Sequence, residues 1–167
     1  MNAVKGIGSA LAGGLALALA QPTLAQPATY QHQTLRIPQG AVVGEAGPAY
    51  YENIELEADA LGRLIVTGAE QRPLVSVSEL SISTMESLPV QVTVNVSGNK
   101  SVPCVELLTP AVAVTEEGFT VTLAESVPGP DDEPCIQVLE PFETSVSLPV
   151  EGLAAGTYAV TVNRSEE

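Results

Sequence analysis

Alternation of apolar and polar residues is the clearest pattern in the chain, and it is strongest after residue 74. From Val90 to Val96, valine stands at every second position, with Gln91, Thr93 and Asn95 between. Successive side chains of a β-strand point to opposite faces, so this run predicts a strand with one buried and one solvent-facing side. The alternation recurs at residues 112–114, 119–123, 136–138, 146–150 and 158–162.

Turn residues separate these runs at intervals of roughly 8–15 residues, a spacing typical of an antiparallel β-sandwich. No helical periodicity of consequence is present beyond the N-terminal segment. We therefore predict an all-β protein in which residues 74–167 form an antiparallel Ig-like β-sandwich. The tryptophan of antibody-type domains is absent, so the likeness is one of architecture.

The alternation changes phase between Val77 and Leu80. Val75 and Val77 follow one phase, whereas Leu80 and Ile82 follow the other. Because the side-chain period of a strand is two, an extra residue at 78–79 predicts a β-bulge.

The stretch before residue 74 divides into two parts. Residues 26–49 are rich in Pro, Gly, Gln and Ala with little periodicity, and we predict a flexible arm or linker there. In residues 50–73, apolar residues alternate on both sides of a turn at 59–62. This pattern predicts a β-hairpin that packs on the sandwich or precedes it.

The first 25 residues have the composition of a secretory signal peptide. A short head ending at Lys5 precedes the uncharged run Gly6–Ala20, and a polar tail ends at Ala25. Cleavage after Ala25 is expected, with Ala20 as a second possible site. The alternative, a transmembrane anchor, would need about 20 apolar residues, and the run is shorter. No Cys lies near the cut, which disfavours a bacterial lipid anchor.

Removal of residues 1–25 would leave five basic and twenty acidic residues, a formal charge of −15. A surface this negative repels nucleic acid phosphates and anionic membranes, so neither partner is predicted, and no membrane span is expected in the mature form. The remaining length suffices for one domain with a core, or one domain plus an arm.

The chain has two cysteines, Cys104 and Cys135. In an oxidising compartment, an isolated pair in a small domain favours a disulfide over a redox or metal pair, which usually has close C-x-x-C spacing. Closing this loop would stabilise the fold by roughly 3–4 kcal/mol in the chain-entropy description.

The segment from Leu153 to Tyr158, with Gly156 inside it, has the pattern of a tyrosine corner. In that feature, a tyrosine near the start of a strand sends its hydroxyl back to the backbone a few residues upstream. The alternative is an ordinary inward-facing aromatic residue.

Four pieces of the C-terminal half carry a resemblance: Glu86–Val92, the two cysteines, Pro141–Glu143 and Leu153–Asn163. Together, over residues 79–163, they resemble an Ig-like β-sandwich module of uncharacterised exported bacterial proteins. The resemblance implies a bacterial, periplasmic or secreted protein and transfers no activity. Members of that group usually continue with a glycine and one more strand, so the last strand is expected to be missing or supplied from elsewhere.

No residue pattern predicts catalysis. The single histidine, His32, lies in the expected arm, which disfavours a Ser–His hydrolase and a zinc site. Glycoside hydrolysis needs paired carboxylates and normally uses aromatic platforms, whereas the chain has no Trp and few other aromatic residues. We therefore predict neither an enzyme nor a bound cofactor.

The densest acidic run is Asp131, Asp132 and Glu133, just before Cys135. Three adjacent carboxylates in a loop are a weak candidate for Ca²⁺. The flanking prolines and the lack of an EF-hand spacing favour an ordinary solvated loop.

Three functions are compatible with the sequence. The first is an exported, non-catalytic binding or structural module that uses loops such as 98–103 and 128–134 to contact an unknown protein partner. The second is a protease inhibitor of Ig-like fold, by analogy alone. The third is a strand-exchange assembly subunit, although we expect residues 50–67 to fold back and fill the missing edge.

Overall fold

The structure is a computed structural model that describes residues 26–115, 118–129, 134–163 and, for the backbone only, 165–166. This described part contains eleven β-strands and no helix, which confirms the predicted all-β class. The strands are β1 (Thr29–Gln31), β2 (Thr34–Gly44), β3 (Gly47–Ala58), β4 (Leu64–Arg72), β5 (Ser76–Met85), β6 (Gln91–Lys100), β7 (Ala111–Val114), β8 (Gly118–Thr122), β9 (Glu140–Leu148), β10 (Ala159–Val162) and β11 (Ser165–Glu166).

Two sheets form the predicted sandwich in the C-terminal half. One has the order β5-β6-β9, and the other has the order β11-β10-β8-β7. Both contribute to one apolar core, and burying each such side chain contributes about 1.5–3 kcal/mol relative to exposure. The core includes Val94, Val96, Phe142, Val146 and Leu148 from the first sheet and Phe119, Val121, Val160 and Val162 from the second. Neighbouring strands are antiparallel, as predicted, except β8 and β10, which run parallel.

The predicted bulge in β5 is present. The register between β5 and β6 shifts between Val77 and Glu79. On either side of the shift, Val77 and Leu80 both pack against the core. The additional residue therefore keeps both halves of the strand facing inward, as the change of phase in the sequence indicated.

Residues 29–44 form β1 and β2, so the expectation of a flexible arm fails for this part of 26–49. The alternation of Leu35, Ile37 and Ala41 in β2 is interrupted by Pro38 and Gly40, which individually disfavour a strand interior. The ladder between β2 and β3 is nevertheless continuous in register along the whole of β2. Tertiary pairing overrides the local propensity here.

The predicted hairpin is formed by β3 and β4, which pair antiparallel. Its turn is organised by Asp59, whose carboxylate accepts backbone N–H groups of Leu61 at 2.8 Å and Arg63 at 2.9 Å. Hydrogen bonds from the Arg63 backbone and side chain hold the pKa of Asp59 below its usual value. Strands β1 to β4 follow one another in a four-stranded meander.

This meander corrects the expectation that residues 50–67 would fill an edge of the sandwich. Strand β3 pairs with β2 and β4, and β4 occupies an edge of that sheet. The sandwich continues beyond Asn163 with the two-residue strand β11, which pairs antiparallel with β10. The hairpin pairs through β3 with β2 and thus belongs to a separate sheet.

The β1–β4 sheet contacts the sandwich at one end. Tyr50 of β3 is completely buried, and its hydroxyl donates to the carbonyl oxygen of Thr109 at 2.9 Å. Burial, with a smaller effect from the negative Glu52, raises the pKa of Tyr50 to about 12. Strands β2 and β3 lie against β7 and β8 respectively. Tyr50 therefore anchors the meander to the sandwich.

Candidate functional site

Cys104 and Cys135 form a disulfide, with an S–S distance of 2.01 Å and Cα atoms 6.0 Å apart. The bridge ties the segment after β6 to the segment before β9. The Cys104 backbone N–H also approaches the Cys135 sulfur at 3.3 Å. The role supported by this geometry is to fix two long connections, since both sulfurs are used in the bond.

The segment beside the disulfide is held by buried polar groups. Lys100 donates to the carbonyl oxygen of Val105 at 2.7 Å and forms an ion pair with Glu140 at 2.8 Å. Glu125 is buried and accepts the Ser101 backbone N–H at 2.9 Å. These contacts fix the loop at 101–103, and residues 98–100 belong to β6. The expected binding loop at 98–103 is therefore partly a strand and partly an anchored turn.

Tyr158 makes the contact that a tyrosine corner requires. Its hydroxyl donates to the carbonyl oxygen of Ala154 at 2.8 Å, four residues upstream. Its ring meets Phe119 edge to face at 6.1 Å between centroids. A Cβ placed on Gly156 would come within 3.7 Å of the Tyr158 ring, which is ordinary van der Waals contact. The arrangement is structural, since it closes the turn before β10.

The acidic run and His32 are the two remaining features from the sequence analysis. The acidic run Asp131, Asp132 and Glu133 lies outside the described residues. Among the residues that are described, no group of three or more His, Cys, Asp or Glu side chains is placed to hold a metal ion. His32 lies in the exposed turn between β1 and β2, with a positive φ of 52°.

A polar cleft of about 700 Å³ lies on the outer surface of the β5-β6-β9 sheet. Cross-strand rows of small polar residues form it, because the valines of β6 face the opposite way into the core. The Ser145 hydroxyl donates to Asn95 Oδ1 at 2.8 Å, and Asn95 Nδ2 donates to the Ser83 hydroxyl at 3.0 Å. The lining of the cleft includes Glu79, Ser81, Asn95, Ser97, Glu143 and Ser145. Asn95 at its centre thus bonds to side chains of both neighbouring strands.

The meander has the opposite character. Register places Tyr30, Leu35, Leu56 and Val66 side by side, one from each of β1, β2, β3 and β4. Side chains opposite one another in a ladder share a face, so the four make an apolar row across the whole sheet. Tyr30 is 64% exposed and Val66 is 59% exposed, although both are large apolar residues.

Further apolar residues of the same face extend this row on both sides. Ile37 pairs with Ile54, and Ala58 pairs with Leu64, which is 55% exposed. We call the set the apolar patch. It consists of Tyr30, Leu35, Ile37, Ile54, Leu56, Leu64 and Val66.

The apolar patch and Tyr50 lie at opposite ends of the sheet, with an irregular stretch of β3 between them. In β3, Asn53 has a positive φ of 52°, and the register with β4 shifts between Glu52 and Leu56, so the alternation is interrupted after Tyr50. A Cβ on Gly40, the register partner of Tyr51, would lie 3.2 Å from Ile54 Cδ1. The Tyr50 end is covered by the sandwich, whereas none of the patch residues belongs to the described core cluster. The Tyr50 end of the sheet is thus covered by the sandwich, whereas the patch at the other end has exposed members.

The charged groups around this sheet are largely paired. Its three arginines all contact carboxylates, which neutralises most of the charge on the sheet. The pairs are Arg36–Glu55 at 2.9 Å, Arg63–Asp59 at 2.7 Å, and Arg72 with both Glu52 and Glu70. Residues 26–73 carry three basic and six acidic residues, a formal charge of −3. Residues 74–167 carry two and fourteen, a formal charge of −12.

The sequence analysis identified only part of this surface. The hairpin prediction included the alternation of Ile54 and Leu56 and of Leu64 and Val66, but the partners in β1 and β2 were assigned to an arm. The alternation of Leu35 and Ile37 was the available signal. Its significance depends on pairing with β3, which a single sequence does not reveal.

No helix in the described ranges is long and apolar enough to span a bilayer. Comparison with curated proteins and with solved structures gave no match. Residues 94–167 match a family model described as the ORF11 beta-sandwich domain. The match covers β7 to β11 and most of β6, and it agrees with the two packed sheets seen there. The C-terminal part of this chain is therefore similar to a known β-sandwich domain, whereas the meander that carries the apolar patch lies outside the match.

Proposed function

We propose that the chain is an exported, non-catalytic module that binds a protein partner through the apolar patch. The observation that carries the proposal is the apolar row across all four strands of the meander, in which Tyr30 and Val66 are exposed and Leu35 and Leu56 are half-buried. Scattered apolar residues are common on protein surfaces, but contiguous apolar patches usually mark interaction sites. Covering this patch would contribute about 25 cal/mol of favourable binding free energy for each Å² of apolar surface removed from water.

Export is supported by the composition of the first 25 residues and by the disulfide. Disulfides persist in oxidising compartments such as the periplasm and the extracellular medium, and they are rare in the cytosol. The resemblance to exported bacterial modules agrees with this location. We accordingly propose a secreted or periplasmic bacterial protein.

The apolar patch is a better candidate for the binding surface than the polar cleft. In the cleft, Asn95 already bonds to side chains of both neighbouring strands, so a ligand must compete with existing hydrogen bonds. Replacing one satisfied hydrogen bond by another yields little net free energy. Covering exposed Val66 and Leu64, in contrast, removes apolar surface from water without breaking any bond.

A second candidate, a strand-exchange assembly subunit, is favoured by the free edge of β4. This edge strand begins with the uncharged run Leu64-Ile65-Val66-Thr67, and Ile65 is 50% exposed. Natural edge strands are usually protected by charge, proline or a covering element. The irregular register near Gly68 protects only the second half of the strand. An added strand would pair along the first half.

The test is affinity capture from the exported fraction with three forms of the full chain: wild type, Val66→Glu and Ile65→Glu. Both substitutions add one carboxylate at an exposed position of β4, but only Val66 lies on the patch face. We expect a captured protein to be retained by Ile65→Glu and lost with Val66→Glu. The purified partner should then bind wild type directly and Val66→Glu at least tenfold more weakly.

Two results would refute the proposal. Binding that is equal for wild type and Val66→Glu would exclude the patch as the binding surface. Turnover of a peptide, ester or glycoside substrate that disappears when a named residue is substituted would exclude a non-catalytic role.

A further inference from the structure

We infer that the partner of the apolar patch is the same patch on a second copy of this chain, with the two β1–β4 sheets packed face to face. The inference rests on the proposed function, because it names the occupant of the same surface. Two packed sheets with interdigitating side chains, about 10 Å apart, are a standard way to bury one apolar face of each.

The charge distribution favours this contact between two copies. The sandwich half carries a formal charge of −12, so two copies that met through it would bring many carboxylates together. The meander half carries −3, and four of its six carboxylates are ion-paired with arginines. Electrostatic repulsion between copies is therefore smallest where the apolar patch lies.

The chemistry of the patch also restricts its partner. A surface that covers Leu35, Leu56 and Val66 must itself be apolar there, because an unpaired charge buried against them would be costly. The three arginines of the sheet already contact carboxylates, so they offer little to a strongly charged ligand. A second copy of the patch presents matching apolar residues on a sheet whose arginines are likewise paired. A surface that complements itself is the requirement for a two-fold interface.

The position of the patch leaves room for this arrangement. Tyr50 contacts its own sandwich at the other end of β3, so the apolar patch lies away from that contact. A contact between two patches about a two-fold axis therefore leaves the Tyr50 ends, which pack on the sandwiches, outside the interface. The two highly negative regions are then kept apart.

The inference is tested by sedimentation of the full chain, produced with its leader and purified in oxidised form from the exported fraction. Wild type should change from monomer to dimer over about a hundredfold range of concentration. Val66→Glu in β4 and Tyr30→Glu in β1 lie at the two ends of the apolar row. Each should raise the dimer dissociation constant at least tenfold, because each places a carboxylate in the apolar contact.

Ile65→Glu is the matched control, since it adds the same charge to the same strand on the opposite face. It should dimerise like wild type. All three positions are at least half exposed, and thermal melts of each variant will establish that the monomer fold is intact. Should Val66→Glu fail to fold, Val66→Ser removes the apolar contact with a smaller change in the sheet.

Three outcomes would overturn the inference. A wild-type chain that stays monomeric over the whole range excludes the second copy as partner. Loss of dimer in Ile65→Glu, or its retention in Tyr30→Glu, would indicate pairing at the β4 edge instead of face-to-face packing. A monomeric wild type that still captures another protein in a manner sensitive to Val66→Glu would contradict only this inference, and the proposed function would stand.

Discussion

The side chain of Asn163 donates a hydrogen bond to the carbonyl oxygen of Val75 at 2.9 Å, across 88 residues of sequence. The same amide group donates to the carbonyl oxygen of Leu123 at 3.0 Å and accepts its N–H at 2.9 Å. Asn163 is buried and has a positive φ of 53°. One side chain thus connects the segment before β5 with the ends of β8 and β10.

Substitution of Asn163 should separate two contributions to stability. Asn163→Gly keeps the left-handed backbone but leaves buried backbone groups of Val75 and Leu123 unpaired, so we expect a loss of about 3 kcal/mol. Asn163→Ala loses the same bonds and adds backbone strain, which should cost about 1 kcal/mol more. Urea unfolding measures both. Equal stability of wild type and Asn163→Gly would show that the hydrogen bonds contribute nothing net.

Because the pKa of Tyr50 is raised in the folded chain, we expect stability to fall at alkaline pH. Its pKa is about 12 in the folded chain and near 10 when unfolded, so the unfolded state releases the proton first. The stabilisation is therefore complete below pH 10 and is lost as the pH rises towards 12, by roughly 3 kcal/mol. Tyr50→Phe should lose this component of the pH dependence, while costing about 1 kcal/mol at neutral pH for the bond to Thr109.

Denaturant unfolding of both proteins at pH 8, 10 and 11 measures the difference. The comparison is made between the two proteins, so titration of other groups cancels. A stability difference that is independent of pH would contradict the assignment.

Gly98 is expected to tolerate no side chain. A Cβ at this position would lie 2.0 Å from the Ser76 carbonyl oxygen and 3.0 Å from the Phe142 ring. Gly98→Ala must therefore displace the backbone of β5, and we expect a loss of about 3 kcal/mol. Gly44→Ala is the control, because a Cβ there meets nothing within 4 Å. Thermal melts should show a large fall in Tm for the first and little change for the second.

The disulfide should be a major contributor to stability. Its cysteines are 31 residues apart, and opening the loop should cost roughly 3–4 kcal/mol by the chain-entropy account. The Cys104→Ala/Cys135→Ala variant should match reduced wild type in urea unfolding and be insensitive to reductant. An unchanged midpoint on reduction of wild type would show that the surrounding contacts alone determine the stability.

The sandwich was predictable because its alternation is locally strong. In β6, Val94 and Val96 are buried as their spacing predicts, and the change of phase after Val77 corresponds to the observed bulge. The parallel pairing of β8 with β10 was not predictable. Parallel neighbours are joined by long connections, and residues 123–158 contain no local signal of that pairing.

The interaction surface was predictable only in part. Leu64 and Val66 were placed correctly in a hairpin, whereas the strand that contains Pro38 was expected to be an arm. The central role of Asn163 was also missed, because an asparagine gives no sequence signal that distinguishes a buried anchor from an exposed turn residue. Both depend on contacts made by distant parts of the chain.

The contact that Tyr50 makes with the sandwich has a consequence for the order in which the chain folds. The β1–β4 sheet is built from neighbouring strands, so it needs only short loops to close and can form while the rest of the chain is still emerging. The sandwich cannot be completed until Asn163 reaches Val75, which requires nearly the entire C-terminal half. In that interval, the Tyr50 end of the sheet is exposed as well as the patch. We therefore expect the folding chain to pass through a stage at which both ends of the sheet carry exposed apolar side chains, until the sandwich half packs over Tyr50.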